Sequence, residues 1–549
     1  MAANAEAGAV THGYSHMPDM PVDRKPSRQY KDVSWAVAFV AHLVGVVALG
    51  AAYAGEMFAD AQSGAMGSNM GNSSSSSEPG QEIDPDVLAA MGLALKLSLP
   101  FLGIGLAVGL GWAIVWMALV QRFAEQLIYV ALFAAPVIFG IMTLGLLLVN
   151  PVAALLTGLM CGVFSFYAYW ILSQPWRIEF AKLTLVTVSS VVRTYPGTYL
   201  TAFLSTIPAT IWQLCWMVSL CGTGWHFYKT GERVSVVDEQ GYAHDSIVIS
   251  PLGKFFIFYL SLSNYWTAQV IKNVVHVTNA GVMATWYFMS HAMPGAPTLG
   301  ALRRSVSTSF GSICFGSLLV ALVQLIRDAV ENARRQQEGL VAMLVMCCIS
   351  CIIGYIEALL ELFNHWAFVQ VAIYGKDFTT AAKDTMQLVK SRGLTGLVNM
   401  NLTSQAVGLG VFIGAVLSGL VVGLLAYFPI VGAQAHNQSI AEEAQPVYVG
   451  AFVIIIVVSV ICAVLFTGMV SSTITSCVTT LFVCWAEDPA SLETSNPSLH
   501  AKFQEITSRF LVDNPYDGPS APIEQQQAYG GPQQPSRAYA TPVPGSNNA

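Results

Sequence analysis

The chain has 549 residues, 54% of them hydrophobic and only 10% charged, with a mean hydropathy of +0.56, whereas soluble globular proteins carry about 25% charged residues. The net charge of −7 sums 32 acidic and 25 basic residues, and the basic ones mostly flank apolar runs instead of clustering, which excludes nucleic acid as a partner. The solvent that this composition demands is the lipid bilayer.

Residues 1–33 are polar, with neither the short apolar stretch of a signal peptide nor a Met-Gly start for myristoylation, and are expected to form a disordered cytoplasmic tail. A helix rises 1.5 Å per residue, so a run of about 18 apolar residues or more can cross the hydrocarbon. Ten runs qualify, near 34–58, 92–120, 125–149, 152–173, 198–221, 255–275, 308–326, 340–362, 402–428 and 449–480. Residues 276–290 stay apolar beyond the sixth run, so that helix is long, tilted or broken near Gly281. The expected architecture is an all-α, polytopic transmembrane bundle of about ten spans over residues 34–485. A cytoplasmic tail follows over 486–549, rich in Pro, Gln, Gly and Ser and disordered apart from a short helix around Leu499 to Phe510.

Cytoplasmic loops hold the excess of Lys and Arg. Arg24, Lys25, Arg28 and Lys31 precede the first run, while the loop after it has Asp60, Glu78, Glu82, Asp84 and Asp86 with no basic residue. Both termini are therefore expected inside. Arg327, Arg334 and Arg335 resist this scheme, since alternation places them outside; Asp328, Glu331 and Glu338 offset their charge, or the seventh and eighth runs are re-entrant. Sequons at Asn72 and Asn437 fall in expected external loops and are candidate glycosylation sites.

Small residues recur four apart at Gly105 and Gly109, Gly410 and Gly414, and Gly419 and Gly423, a spacing that lets helix backbones approach closely. Pro100, Pro136 and Pro208 lie inside runs, where each removes a backbone donor. The sixth run carries Tyr265, Gln269, Lys272, His276 and Asn279 at three- and four-residue steps, one polar face on an apolar helix. Glu357, Glu361 and His365 repeat the pattern in the eighth. Polar groups are costly in hydrocarbon, so such faces look toward the bundle interior, a water-filled path or each other. If they meet, Lys272 pairs with Glu357 or Glu361. Lys272 lies roughly 26 Å into its run and Glu361 near the inner end of its own, which fits an inner gate or, equally, interfacial residues snorkelling to water. His276 could couple a proton or simply satisfy a neighbouring helix. Tyr265, Trp266 and Trp286 offer ring faces for an organic cation, or belong to an interfacial aromatic belt. Cys347, Cys348 and Cys351 lack nearby partner ligands and read as structural or lipid-modified thiols, and residues 376–392 as an amphipathic helix with Phe378, Ala382, Met386 and Val389 on one side. No metal site, cofactor motif or catalytic signature is present in the sequence.

Three stretches, Asn273 to Phe288 (NVVHVTNAGVMATWYF), Gly311 to Arg327 (GSICFGSLLVALVQLIR) and Asn364 to Leu388 (NHWAFVQVAIYGKDFTTAAKDTMQL), occur in an order that resembles the choline transporter-like solute carriers, and more closely their fungal pH-nine-sensitive branch. The resemblance covers roughly residues 90–485. It implies ten helices, cytoplasmic termini, a large first external loop, a plasma-membrane address and facilitative passage of choline or a related amine.

Two functional readings remain open from sequence, since a third, a membrane-embedded enzyme using His276 or His365 with a carboxylate, lacks a catalytic motif. One is a facilitative or ion-gradient-driven carrier whose pathway includes Tyr265, Trp266, Gln269, Lys272, Asn273, His276, Trp286, Glu357 and Glu361, with Lys272 and Glu357 as the gate. The other is a non-transporting receptor or scaffold acting through its cytoplasmic tails. Substrate and oligomeric state do not follow from the sequence.

Overall fold

The computed structural model describes residues 29–62, 85–237, 243–335, 340–392, 395–436 and 445–513. Asn72, Asn437 and most of both expected tails lie outside them.

In hydrocarbon every backbone amide must find its partner internally, and long helices achieve this. Helices α1 (Val33–Gln62), α2 (Pro85–Arg122), α3 (Ala124–Leu146) and α4 (Pro151–Leu172) come first. Next is α5 (Pro175–Thr194), which no apolar run announced: Arg177, Lys182 and Arg193 dilute its hydropathy, yet Trp176, Phe180, Leu185, Val188 and Val192 are buried against the rest of the bundle. The expected run at 198–221 is broken into α6 (Gly197–Leu204) and α7 (Thr206–Lys229). Pro208 accounts for the break, having no amide hydrogen for the carbonyl of Leu204.

A two-stranded antiparallel hairpin, β1 (Glu232–Val237) and β2 (Ala243–Val248), pairs Glu232 with Val248. It is the only paired sheet among the described residues and was not expected from the sequence. Beyond it lie α8 (Pro251–Met289), α9 (Pro297–Ser305), α10 (Phe310–Arg335), α11 (Leu340–Tyr374), α12 (Phe378–Arg392), α13 (Thr395–His436), α14 (Gln445–Glu487), α15 (Pro489–Ser495) and α16 (Pro497–Asp513).

Among the described residues nine segments are long and apolar enough to cross a bilayer, and they coincide with nine of the ten expected runs. The tenth run lies in α8, whose polar face keeps it below that apolarity. Helix α8 is continuous for 39 residues through Gly281, so the open question of a long, tilted or broken helix resolves as long and unbroken. Helices α10 and α11 are likewise full-length helices of 26 and 35 residues rather than short re-entrant segments.

Close helix packing accounts for two of the three glycine pairs. A Cβ on Gly410 would stand 1.9 Å from the Trp116 ring and one on Gly414 2.4 Å from Trp112, while Gly105 and Gly109 press against Ser459 and the backbone of Ala463. Trp112 also donates its Nε1 hydrogen to the Gly410 carbonyl at 2.9 Å. Gly419 and Gly423 meet only Val460 and Ile456 side chains beyond 3.0 Å. Helices α2, α13 and α14 thus form one interlocked unit, with α3 and α4 as a hairpin beside it.

The two described ends of the chain lie at the same end of the bundle. The Lys31 amide donates to the Thr308 carbonyl at 3.1 Å, and the Asp32 carboxylate accepts from the Ser312 hydroxyl at 2.7 Å and the Phe378 amide at 2.9 Å, tying the N-terminal segment to the starts of α10 and α12. Asp32 adopts φ 53°, and the backbone of Lys31 and Asp32 passes so near Gly311 that no side chain would fit there. At the same end Gln370 and Tyr374 of α11 donate to Glu487 of α14, and Phe503 of α16 is buried against Phe180. The helix expected around Leu499 to Phe510 is therefore present, and it packs on the bundle. Helix α12 is present as expected; of the side read as apolar, Phe378 is buried, Ala382 and Val389 are half-buried against the core, and Met386 is exposed, while Ala381 and Thr385 are buried beside them.

Candidate functional site

Helix α8 presents its polar face to α10 and α11, which run beside it antiparallel and parallel respectively. Gln269 and Lys272 converge on Glu361, with Nε2 and Nζ at 3.4 and 3.2 Å from its Oε1. Of the two partners the sequence left open to Lys272, the geometry selects Glu361. Glu357, one turn earlier, instead accepts from Arg327 of α10 at 2.6 Å, so the expected Lys272–Glu357 pairing is corrected. A fixed helix rotation decides this, because Glu357 and Glu361 share a face of α11 but meet different helices.

The pair also lies short of the ends of both helices. Helix α11 runs 13 residues past Glu361 to Tyr374, about 20 Å, and α8 continues 17 residues past Lys272 to Met289. The pair sits along the bundle's length, well short of the helix ends. Further along α8, Asn273 donates to the Ser317 hydroxyl at 2.9 Å with both residues buried. The His276 ring stacks on His365 at 4.3 Å, its Nε2 lying 2.9 Å from the His365 carbonyl, while its Nδ1 is buried with no hydrogen bond to any described residue.

Toward the other end of α8 a cavity of about 490 Å³ opens between α8, α10 and α11, lined by Tyr265, Gln324, Arg327, Asp328, Glu331, Ser350 and Glu357. Its walls carry three carboxylates against one guanidinium. The Tyr265 hydroxyl donates to Asp328, Arg327 is held by Glu357, and Glu331 accepts from Nε of Arg334 at 2.9 Å. These contacts give partners to the basic residues that resisted the loop-charge scheme. Arg327 is bound by Glu357 and Arg334 by Glu331 within the α10–α11 pair, at the end of α10 rather than in a loop. Arg327, Asp328 and Gln324 were not among the expected site residues; the available signal was the i, i+1 and i, i+4 spacing of these polar groups, with Gln324 inside the expected run and Arg327 and Asp328 just past its end.

The aromatic contacts are not assembled as one box. Trp266 is buried with its ring stacked on His42 at 4.5 Å and its Nε1 hydrogen on the Cys314 carbonyl at 2.9 Å. Trp286 is partly buried against the main core, 21 residues along the helix from Tyr265, about 30 Å away. Of the nine pathway residues expected from sequence, Tyr265 and Glu357 line the cavity, and Gln269, Lys272, Glu361, Asn273 and His276 continue from it as a polar seam. Trp266 and Trp286 belong to neither.

Ionisable groups gathered on the inner faces of long apolar helices define a polytopic helical membrane protein with a polar interior. Residues 158–490, more than half the chain, match the family model described as plasma-membrane choline transporter, and the chain belongs to this choline transporter-like family. Among curated proteins it is similar to Protein PNS1 of Gibberella zeae, 30% identical over 63% of this chain and 61% of that one. It is similar to Protein PNS1 of Cryptococcus neoformans at 29% identity over 89% of this chain and 84% of that one, and to a CTL-like protein of Dictyostelium discoideum at 28% over 71% and 62%. The matched stretch thus spans less than two thirds of the Gibberella and Dictyostelium relatives.

Proposed function

We propose that the protein carries a small polar solute, choline or a related amine, across the plasma membrane, passively or on an ion gradient, along the polar face of α8. The observation that carries this reading is the cavity at Tyr265, Asp328, Glu331 and Glu357, an acidic recess walled by helices that are otherwise apolar. Glu357 and Glu331 are paired with Arg327 and Arg334, so the carboxylate left to meet an entering cation is Asp328, which accepts from the Tyr265 hydroxyl. The repulsion Lys272 would exert on a quaternary ammonium is offset by Glu361. Family membership supports the same substrate class.

Cytoplasmic termini belong to this proposal, supported by the shared end at which Asp32 and α16 lie and by the basic N-terminal flank. Asn72 and Asn437 then fall outside the cell, available for glycans.

The test is uptake of radiolabelled choline, ethanolamine and other small amines by proteoliposomes, comparing wild type with Glu357→Gln, Lys272→Ala and empty vesicles. Saturable uptake of an amine, with kcat/KM at least about ten-fold lower in Glu357→Gln, is the expected result. Uptake at the level of empty vesicles from verifiably folded protein would sink the reading and favour a receptor or scaffold.

A further inference from the structure

Helix α8 has a second working face. Thr267, Val270, Ile271 and Val274 lie about half a turn round from Gln269, Lys272 and His276, at 100° per residue, and they form one wall of a different cavity of about 650 Å³. Phe39 and Leu43 of α1, Trp212 of α7 and, past α9, Val306 close the other sides. The volume falls within the roughly 300–1,000 Å³ of small-molecule pockets, but the lining is almost wholly apolar, and the cavity is partly open and bordered by α1 and α7, which are long and apolar enough to cross a bilayer.

In that setting an apolar recess is filled by hydrocarbon chains. A chain leaving the bilayer for the recess gains little, because lipid tails are as apolar as the leucines that would receive them. Discrimination among lipids must therefore come from the polar end. Leu302 and Val306, both lining residues, bracket Arg303, which is exposed and forms no salt bridge with another described residue. Arg304, its neighbour, is turned inward against Gly281. The Lys31 amide bonds the Thr308 carbonyl, which sets the backbone of this second basic residue beside the same Val306–Phe310 edge; its Nζ donates to Gln29 Oε1 at 3.3 Å and its charge also acts on Asp377. The nearby Asp32 carboxylate is already engaged by Ser312 and Phe378.

We propose that this cavity binds an anionic phospholipid, one acyl chain lying between α1, α7 and α8 and the phosphate head group held at Arg303 beside Lys31. The head group lies at the end of the bundle that carries the chain's described termini. One basic residue at a membrane surface gives about a five-fold preference for an anionic lipid.

The test uses the full chain in liposomes containing either of two photoreactive probes, phosphatidylglycerol or phosphatidylcholine with the same diazirine-bearing acyl chain, and maps the labelled residues by mass spectrometry. Leu155 and Phe166, 74% and 70% exposed on the outside of α4, serve as internal references for ordinary bilayer contact. The expected result is labelling at Leu43, Trp212 and Val274 above that at the references, about five-fold stronger with phosphatidylglycerol than with phosphatidylcholine. Arg303→Gln should lower phosphatidylglycerol labelling to the phosphatidylcholine level and leave the latter unchanged. Val274→Trp should abolish labelling at Leu43 and Trp212 by both probes and leave the references as they were. Equal labelling by the two probes in the wild type, insensitivity to Arg303→Gln, or pocket labelling no higher than at Leu155 would each overturn the proposal. Should Val274→Trp not fold, the surface substitution Arg303→Gln decides alone. Transport enters none of these readouts, so the outcome is independent of the amine-carrier reading.

Discussion

Lys272 and Glu361 face each other at 3.2 Å while remaining 44% and 35% exposed. In water such a pair contributes little, but between membrane helices the alternative is an uncompensated charge, so the pair matters more for arrangement than for net stability. Reversing it as Lys272→Glu with Glu361→Lys should restore the folded yield lost in either single variant, measured by size-exclusion of the solubilised protein; a double variant no better than the singles would show that the pair is not the relevant contact. Asn273 and Ser317 are a cleaner case because both are buried. Asn273→Ala should cost about 1 kcal/mol in a thermal or denaturant unfolding series, with a coupling to Ser317→Ala of the same order. The polar stripe of α8 was legible from sequence because its spacing is a property of one helix. Its partners were not: which of Glu357 and Glu361 meets Lys272 depends on how α11 is rotated against α8, and Arg327 became visible as a site residue only when α10 proved to extend past it.

Elements whose apolar residues are contiguous were legible as well, and nine of the ten runs lie in segments of the right character. Helix α5 escaped because its buried positions alternate with Arg, Lys, Thr and Ser, so its average hydropathy hides a packed face. The hairpin escaped because it lies between two spans and its strands are only six residues each. Helix α12 was found by its pattern, and contacts of Phe378 with Phe315 and Phe368 seat its apolar side. At its start, burial alone would push the Asp377 carboxyl up, but the amide and hydroxyl of Thr380 hold it below the usual aspartate range. A depressed folded value means that the cap is fully present above the unfolded pKa and is lost as pH falls through the folded one. Asp377→Ala should therefore destabilise α12 by about 1 kcal/mol at neutral pH, while Asp377→Asn should keep the cap and remove its loss in acid. Hydrogen exchange of the α12 amides across pH 3 to 7 reads both; equal acid sensitivity in wild type and Asp377→Asn would contradict the assignment.

For the whole molecule, the shared end of the described termini makes a simple expectation for intact cells: tags on either terminus are protected from added protease, and Asn72→Gln and Asn437→Gln each shift the protein's mobility by one glycan. A protease-sensitive tag would reverse the proposed orientation. The seating of Trp112 and Trp116 over Gly414 and Gly410 also sets a limit on movement. Advancing α13 by one residue turns it about 100° and drives Leu409 or Val411 into space the indole rings occupy, so Gly410→Ala should cost about 2 kcal/mol or more in the same unfolding series, and Trp116→Leu beside it should recover part of that loss. Like a shaft keyed to its hub, α13 can neither slip nor spin against α2. Any rearrangement of the bundle must therefore carry α2 and α13 together as one piece.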